Sequence, residues 1–347
     1  MKFLSYPDQV CHTVTYEEQI LRIQENASGK QTLWRLTEQL DQLQLTWNGS
    51  CSDQPGTWEL LAAVEAAFSS HPLQNILGLS ISFQPSAELI NSGALISSQD
   101  DQFKIYADMF WQQARLWRYP ASGGHFPIHY MFTRERRHPL RPPKPSGMVY
   151  RRYIPWLSRT LIFRTVDMAR DLECFHHWMN DAEVAKFWQE SGDIDKHRDY
   201  LRGIDADPHT ISLIGCLDEE PFGYFEIYWA KENRIAPYYN VDDFDRGWHV
   251  LIGEPHRRGK PFVTAWLPSI SHYLFLDDAR TQRLVIEPRS DNHKMIRNLN
   301  QCGYVTLKEF DFPHKRAVLG MLARERFFSE QCWVPRLTSA PCLSSLS

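Results

Sequence analysis

Four prolines fall within the seven positions Pro139-Leu140-Arg141-Pro142-Pro143-Lys144-Pro145. Each proline ring fixes φ and removes a backbone N–H, so this run fits neither a helix nor the interior of a sheet. An extended, exposed linker is expected over 138–150, dividing the 347 residues into a front part, 1–137, and a back part, 151–330. Either part is long enough to bury a core of its own. Residues 331–347 are rich in Ser and Pro and would form a flexible tail.

Composition removes several classes of function. Lys and Arg number 38 against 42 Asp and Glu, a net charge of −4, which argues against a nucleic-acid surface. The 7 cysteines are irregularly spaced and include no Cys-x-x-Cys, so neither a disulfide framework nor a zinc site is supported. No metal is assigned, because His176, His177 and His272 have no ligand spacing with other histidines or cysteines. The N-terminus lacks an apolar signal core, and no run of about eighteen apolar residues occurs, so a cytoplasmic protein without a membrane span is expected.

The front part mixes a strand over Leu43 to Trp47, a turn at Asn48-Gly49, a helix over Trp58 to Phe68 and a strand near Asn75 to Ile81. It holds no catalytic constellation and reads as scaffold. The back part runs through a strand at Thr160–Arg164, two short helices before Trp188, a helix over His197–Gly203, and strands at Thr210–Leu217 and Phe222–Trp229. A strand at Gly247–Ile252, a helix over Phe262–Phe275 kinked at Pro268, a strand at Arg283–Glu287 and a helix over His293–Gln301 follow. Tyr304–Phe310 and Arg316–Ala323 then pair as antiparallel strands, which makes an α+β domain with a mixed sheet.

The segment Asp245 to Lys260 carries the chemistry. An apolar strand containing His249 runs into the basic turn Glu254-Pro255-His256-Arg257-Arg258-Gly259-Lys260, and a helix starts there. Such a turn points backbone N–H groups and a helix dipole at one place, which suits a pyrophosphate, although a plain basic turn before a helix is equally common.

Taken with Phe225-Glu226-Ile227-Tyr228-Trp229, Glu287-Pro288-Arg289-Ser290-Asp291-Asn292 and Asp311-Phe312-Pro313-His314-Lys315-Arg316, this segment resembles the siderophore-pathway acyltransferases of the GCN5-related superfamily, and among them the N-hydroxylysine acetyltransferases. Trp178-Met179-Asn180-Asp181 and Phe187-Trp188-Gln189-Glu190-Ser191-Gly192 add to the likeness, which covers about residues 140 to 330. The resemblance implies the GCN5-related fold, with a mixed, mostly antiparallel sheet, in tandem with a degenerate acyltransferase-like domain in the front part. It implies acetyl-CoA or another short acyl-CoA as co-substrate. The acceptor would be a small N-hydroxylated lysine or diamine, and the product a hydroxamate.

On that resemblance His249 is the general base and Asp291 its orienting carboxylate. Val250 and Leu251 would hold the thioester, and Arg257, Arg258, Gly259 and Lys260 the phosphates. Trp188, Glu226, His314 and Lys315 would line the acceptor pocket. Each has a plainer reading. His249 could be a satisfied core histidine, Asp291 a helix cap, Glu226 an ion-paired sheet residue or a rival base, and Lys315 a solvated strand end. Two other functions stay open at this point, an N-acetyltransferase of ordinary amines and a non-catalytic acyl-CoA-binding module. Pro261, which supplies no N–H at the turn, favours the latter.

Overall fold

The computed structural model describes residues 2–39, 42–47, 49, 54–98, 102–119, 125–133 and 136–335. The expected turn at Asn48 and most of the expected tail, 336–347, lie outside these.

The front half contains β1 (Lys2–Ser5), β2 (His12–Glu17), β3 (Ile20–Glu25), β4 (Gln31–Gln39), β5 (Gln42–Thr46), α1 (Thr57–Ser70), β6 (Ile76–Ser80), α2 (Ala87–Asn91), β7 (Ile96–Ser97), β8 (Phe103–Tyr106) and α3 (Ala107–Phe110). A hairpin follows, β9 (Tyr130–Thr133) and β10 (Arg136–Pro139). The back half contains β11 (Met148–Ile154), β12 (Arg159–Thr165), α4 (Met168–Met179), α5 (Ala182–Trp188), α6 (Ile194–Ala206), β13 (Thr210–Leu217), β14 (Glu220–Trp229) and β15 (Arg246–Ile252). It closes with α7 (Lys260–Asp277), β16 (Arg283–Ile286), α8 (His293–Gln301), β17 (Val305–Phe312), β18 (Lys315–Ala323) and α9 (Arg324–Ser329).

The two large sheets have one topology. Strand order is β1-β2-β3-β4-β5-β6-β8-β7 in front and β11-β12-β13-β14-β15-β16-β18-β17 behind. Among the described residues, the only parallel neighbours in each sheet are the fifth and sixth strands, joined through a helix, α1 or α7. The halves are thus an internal repeat of one α+β architecture. They differ at that parallel pair. β5 and β6 stay paired from Leu43↔Leu77 to Thr46↔Ser80, and Trp47 N–H extends the ladder to the Ser80 carbonyl. β15 and β16 pair only at Arg246↔Leu284 and Gly247↔Val285 and then part. A closed ladder leaves no room for a ligand; a parted one opens a cleft.

The halves share a core. Trp111 stacks on Trp117 with centroids 4.6 Å apart, and Trp111 also packs on Trp333 and on His272 of α7. His272 is a satisfied core histidine. Its Nε2 bonds the Trp111 carbonyl and its Nδ1 the Tyr150 hydroxyl, while burial pushes its pKa down to about 3. At the seam Asp277 pairs with Arg118 and with Arg246.

Two expectations change here. The segment 138–150 is no free spacer: β10 and β11 take its two ends, and Arg141 between them is buried. Cys332 and Trp333, expected in a mobile tail, are buried against Phe327 and Phe328. Helix α7 runs from Lys260 to Asp277 with Pro268 inside it and buried.

Candidate active site

Alternation along β15 decides what the cleft presents. The Asp245 carbonyl accepts from Ala230 N–H and Gly253 N–H donates to the Phe222 carbonyl, both toward β14. Backbone groups alternate sides along a strand, so odd-numbered residues here bond β14 and even-numbered ones face the gap. The Val250 backbone therefore points into the cleft, where its carbonyl accepts the Trp188 indole N–H at 3.2 Å. Leu251 does not. Its backbone belongs to the β14 ladder and its side chain is buried, which removes it from the expected thioester contacts.

The cleft opens into a cavity of about 740 Å³ lined by Trp188, Glu226, Tyr228, His249, Glu287 and Lys315, among others. Gly247 shapes its base. A Cβ at this position would overlap the Tyr228 ring, so glycine lets that ring lie flat against β15. Tyr228 then reaches Glu287 with its hydroxyl, at 2.7 Å, and packs 4.9 Å from the His249 ring.

His249 sits between two carboxylates. Glu226, its cross-strand neighbour on β14, approaches Nδ1 at 3.2 Å; Glu287, just past β16, approaches Nε2 at 2.7 Å. Glu226 also accepts from the Tyr200 and Tyr224 hydroxyls. Glu287 has Arg234 3.5 Å away. Burial alone would lower the His249 pKa, but Glu287 and Glu226 together raise it to about 9. Burial likewise works against ionising the carboxylates; the imidazolium outweighs it and holds both below the usual range, Glu287 the more strongly because Lys315 and Arg234 add to it. At neutral pH the ring is a cation donating from both nitrogens, with no lone pair left for a proton.

Asp291 is elsewhere. It is exposed and forms a two-pronged ion pair with Arg289, while Asn292 caps α8 by accepting from Met295 N–H. The carboxylate expected at the end of this strand is Glu287, four positions earlier. The signal was an acid closing the apolar run Leu284-Val285-Ile286; which acid faces the histidine follows only from the strand register.

The basic turn is also corrected. Arg258 bonds the Ile252 and Gly253 carbonyls and pairs with Asp181 and Glu183, clamping the turn to the start of α5. Arg257 pairs with Glu220. The N–H groups of Gly253 and Glu254 are spent on the Phe222 carbonyl of β14, and those of Arg257 and Arg258 on carbonyls inside the turn. Gly259, with φ +107, forms the N-cap of α7, and exposed Lys260 begins that helix. Of the four residues expected at phosphates, these two keep a suitable setting.

The cavity brings together Trp188, Glu226, His314 and Lys315, the residues the resemblance assigned to an acceptor pocket, and adds Arg234 and Tyr228. Lys315 bonds the Glu287 carbonyl at 2.6 Å. His138, His209 and Glu232 also cluster closely enough to share a cation. Arg141, however, occupies both Glu232 oxygens, at 2.6 and 2.9 Å, and His138 Nε2 is bonded to Thr133, so the cluster is an ion-pair network.

The profile of the family described as "Acetyltransferase (GNAT) domain" matches residues 167–312. The chain is 45% identical over 226 residues to the N(6)-hydroxylysine O-acetyltransferase of Escherichia coli, covering 65% of this chain and 72% of that protein. It is 32% identical over 372 residues to the hydroxyornithine transacylase of Ajellomyces capsulatus, covering 94% of this chain and 84% of that protein. Among solved structures, an uncharacterized protein from Bacillus halodurans superposes with a TM-score of 0.52 at 28% identity, covering 55% of this chain and 96% of that one.

Proposed function

Because this chain belongs to the GNAT acyltransferases of the siderophore-pathway type, we propose that it transfers a short acyl group from coenzyme A to the hydroxylamine nitrogen of an N-hydroxylated amino acid or diamine, giving a hydroxamate. The observation that carries this reading is the carboxylate–imidazolium–carboxylate row at the mouth of the parted strands. A plain alkylamine arrives as an ammonium ion and needs a free base to strip it. Here the imidazole is already protonated. A hydroxylamine is much less basic, arrives neutral, and sheds its proton only as it attacks, when even a carboxylate can take it. The site therefore favours a hydroxylated acceptor over an ordinary amine.

The acyl-CoA would lie along the free edge of β15 with its pyrophosphate toward Gly259 and Lys260. The nitrogen attacks the thioester carbon, and the carbonyl π pair moves to oxygen, where the Val250 N–H receives it. The C–N bond forms, the C–S bond breaks, and coenzyme A departs as thiolate. Glu226 takes the nitrogen's proton and passes it to the thiolate or to water. Glu226 suits this better than Glu287, which three cations make the weaker base. His249 holds the two carboxylates in place. The acceptor's methylene chain runs against Trp188 and Tyr228, and a carboxylate at its far end meets Arg234 and Lys315.

The name of the Escherichia coli relative specifies O-acetyl transfer. Nitrogen is the better nucleophile of a neutral hydroxylamine, and the two products differ, since a hydroxamate forms a coloured ferric complex and an O-acyl ester does not. Mass spectrometry of products from acetyl-CoA and succinyl-CoA with N-hydroxylysine, N-hydroxyornithine and lysine tests the reading. Acylation of plain lysine in preference to the hydroxylated acceptors would overturn it.

A further inference from the structure

The front half reads as scaffold from its sequence, yet its last element reaches the acceptor cavity. The hairpin β9–β10 and the residues just after it lie on the loop between β14 and β15, and that loop supplies Glu232, Asn233 and Arg234 to the cavity wall. Three contacts fasten them. The Arg136 guanidinium donates to the Glu232 carbonyl at 3.3 Å and to the Asn233 carbonyl at 2.6 Å. Arg141 grips the Glu232 carboxylate with two N–H groups while lying 4.1 Å over the Trp229 ring. His138 Nδ1 comes within 2.8 Å of the same carboxylate. Arg141, Glu232 and His138 are all at or below 3% side-chain exposure, so these contacts are dry and geometrically demanding.

Arg234 follows directly on the two carbonyls held by Arg136. Its own side chain is half exposed, held only by Glu287 at 3.5 Å and by the Phe312 ring at 5.6 Å among the described residues. A side chain this loosely tethered takes its position from its backbone. We propose that Arg136 of the hairpin and Arg141 just after it are positioning residues that set the place of Arg234, and through it the preference for an acceptor that carries a carboxylate. The inference rests on the acyl-transfer reading above, and it makes the front half a contributor to specificity. The two residues touch no reacting atom, so their loss should move acceptor recognition and leave the transfer step alone.

The test compares wild type, Arg136→Ala, Arg141→Lys and Arg141→Ala on two acceptors, N-hydroxylysine and the N-hydroxylated diamine of the same chain length without a carboxylate. Arg136→Ala and Arg141→Ala should raise KM for N-hydroxylysine about tenfold, with kcat and the KM for acetyl-CoA within about twofold. The diamine should show no change. Arg141→Lys, which keeps the charge and loses the two-pronged geometry, should fall between wild type and Arg141→Ala. If Arg141→Ala does not fold, as circular dichroism will show, Arg136→Ala and Arg141→Lys carry the comparison. Equal losses on both acceptors, unchanged kinetics on both, or a raised acetyl-CoA KM overturn the inference while leaving the acyl-transfer reading standing. A wild-type enzyme that turns over neither hydroxylamine overturns that reading, and this inference with it.

Discussion

Nε2 of His249 lies 2.7 Å from Oε1 of Glu287, across the gap where β15 and β16 part. The contact turns what looks like a free base into a shared cation. It joins the two sides of the split sheet at the place where a substrate has to enter, so charge state and cleft geometry are set together.

The pH profile should carry the mark of that cation. With Glu226, Glu287, Tyr200 and Tyr228 around the ring and Arg234 and Lys315 beyond, kcat/KM for a neutral hydroxylamine should stay level across neutral pH and fall as pH rises through about 9. A profile that climbs through the same range would assign proton removal to neutral His249.

Stability is linked to the same groups. The folded pKa of His249 is raised above 6.5, so its contribution is complete below about 6.5 and is lost as pH rises through about 9. Glu287 is depressed, so its contribution is present above about 4.5 and is lost as pH falls through its folded value. Chemical denaturation should show wild type losing stability between those two histidine values, and His249→Gln lacking that slope. His249→Ala leaves two buried carboxylates without their cation and should cost about 3–5 kcal/mol. Adding Glu226→Gln should recover part of it.

The two carboxylates should separate kinetically. Glu226→Gln removes the proposed proton acceptor and should lower kcat about 100-fold, with little change in acceptor KM. Glu287→Gln instead withdraws the stronger of the two charges on His249, so the high-pH fall in kcat/KM should move to lower pH. Identical effects of the two variants would contradict this division of roles.

Gly247→Ala should act through Tyr228. The new Cβ would overlap that ring and push its hydroxyl off Glu287, at a cost of roughly 1–3 kcal/mol. Thermal melting measures the loss. An unchanged Tm would mean that the ring moves aside freely and does not brace Glu287.

At the basic turn, Arg258→Ala should lower Tm, because four acceptors on the turn and α5 lose their partner, with the acetyl-CoA KM little altered. Lys260→Ala should do the reverse and raise the acetyl-CoA KM in a salt-dependent way. Initial-rate kinetics at two ionic strengths, alongside melting curves, distinguish the cases.

Local pattern is legible where the signal lies within one segment. Thr210–Leu217 and His293–Gln301 match their expected limits, because a mostly apolar run in the one and an Asn cap at the start of the other are local signals. Strands β2 to β4 carry threonine, glutamine and arginine among their less buried residues, which weakens the apolar signal, and their membership in a repeat of the back sheet, implied by the resemblance, has no pattern of its own in the segments and emerges in strand order. The strand, basic turn and helix around His249 belong to the first kind. The choice of Glu287 over Asp291, and of Val250 over Leu251, belongs to the second.

Sequence alone determined the mixed sheet, the strand–helix–strand order through α7 and the placing of His249 at the strand before it. Tertiary structure decided the charge on that histidine, the engagement of Arg257 and Arg258 elsewhere, and the reach of the front hairpin to the loop that lines the cavity. The reason is electrostatic. A pKa depends on which charges share a poorly hydrated space, and residues separated by tens of positions enter that space only when the strands are in register.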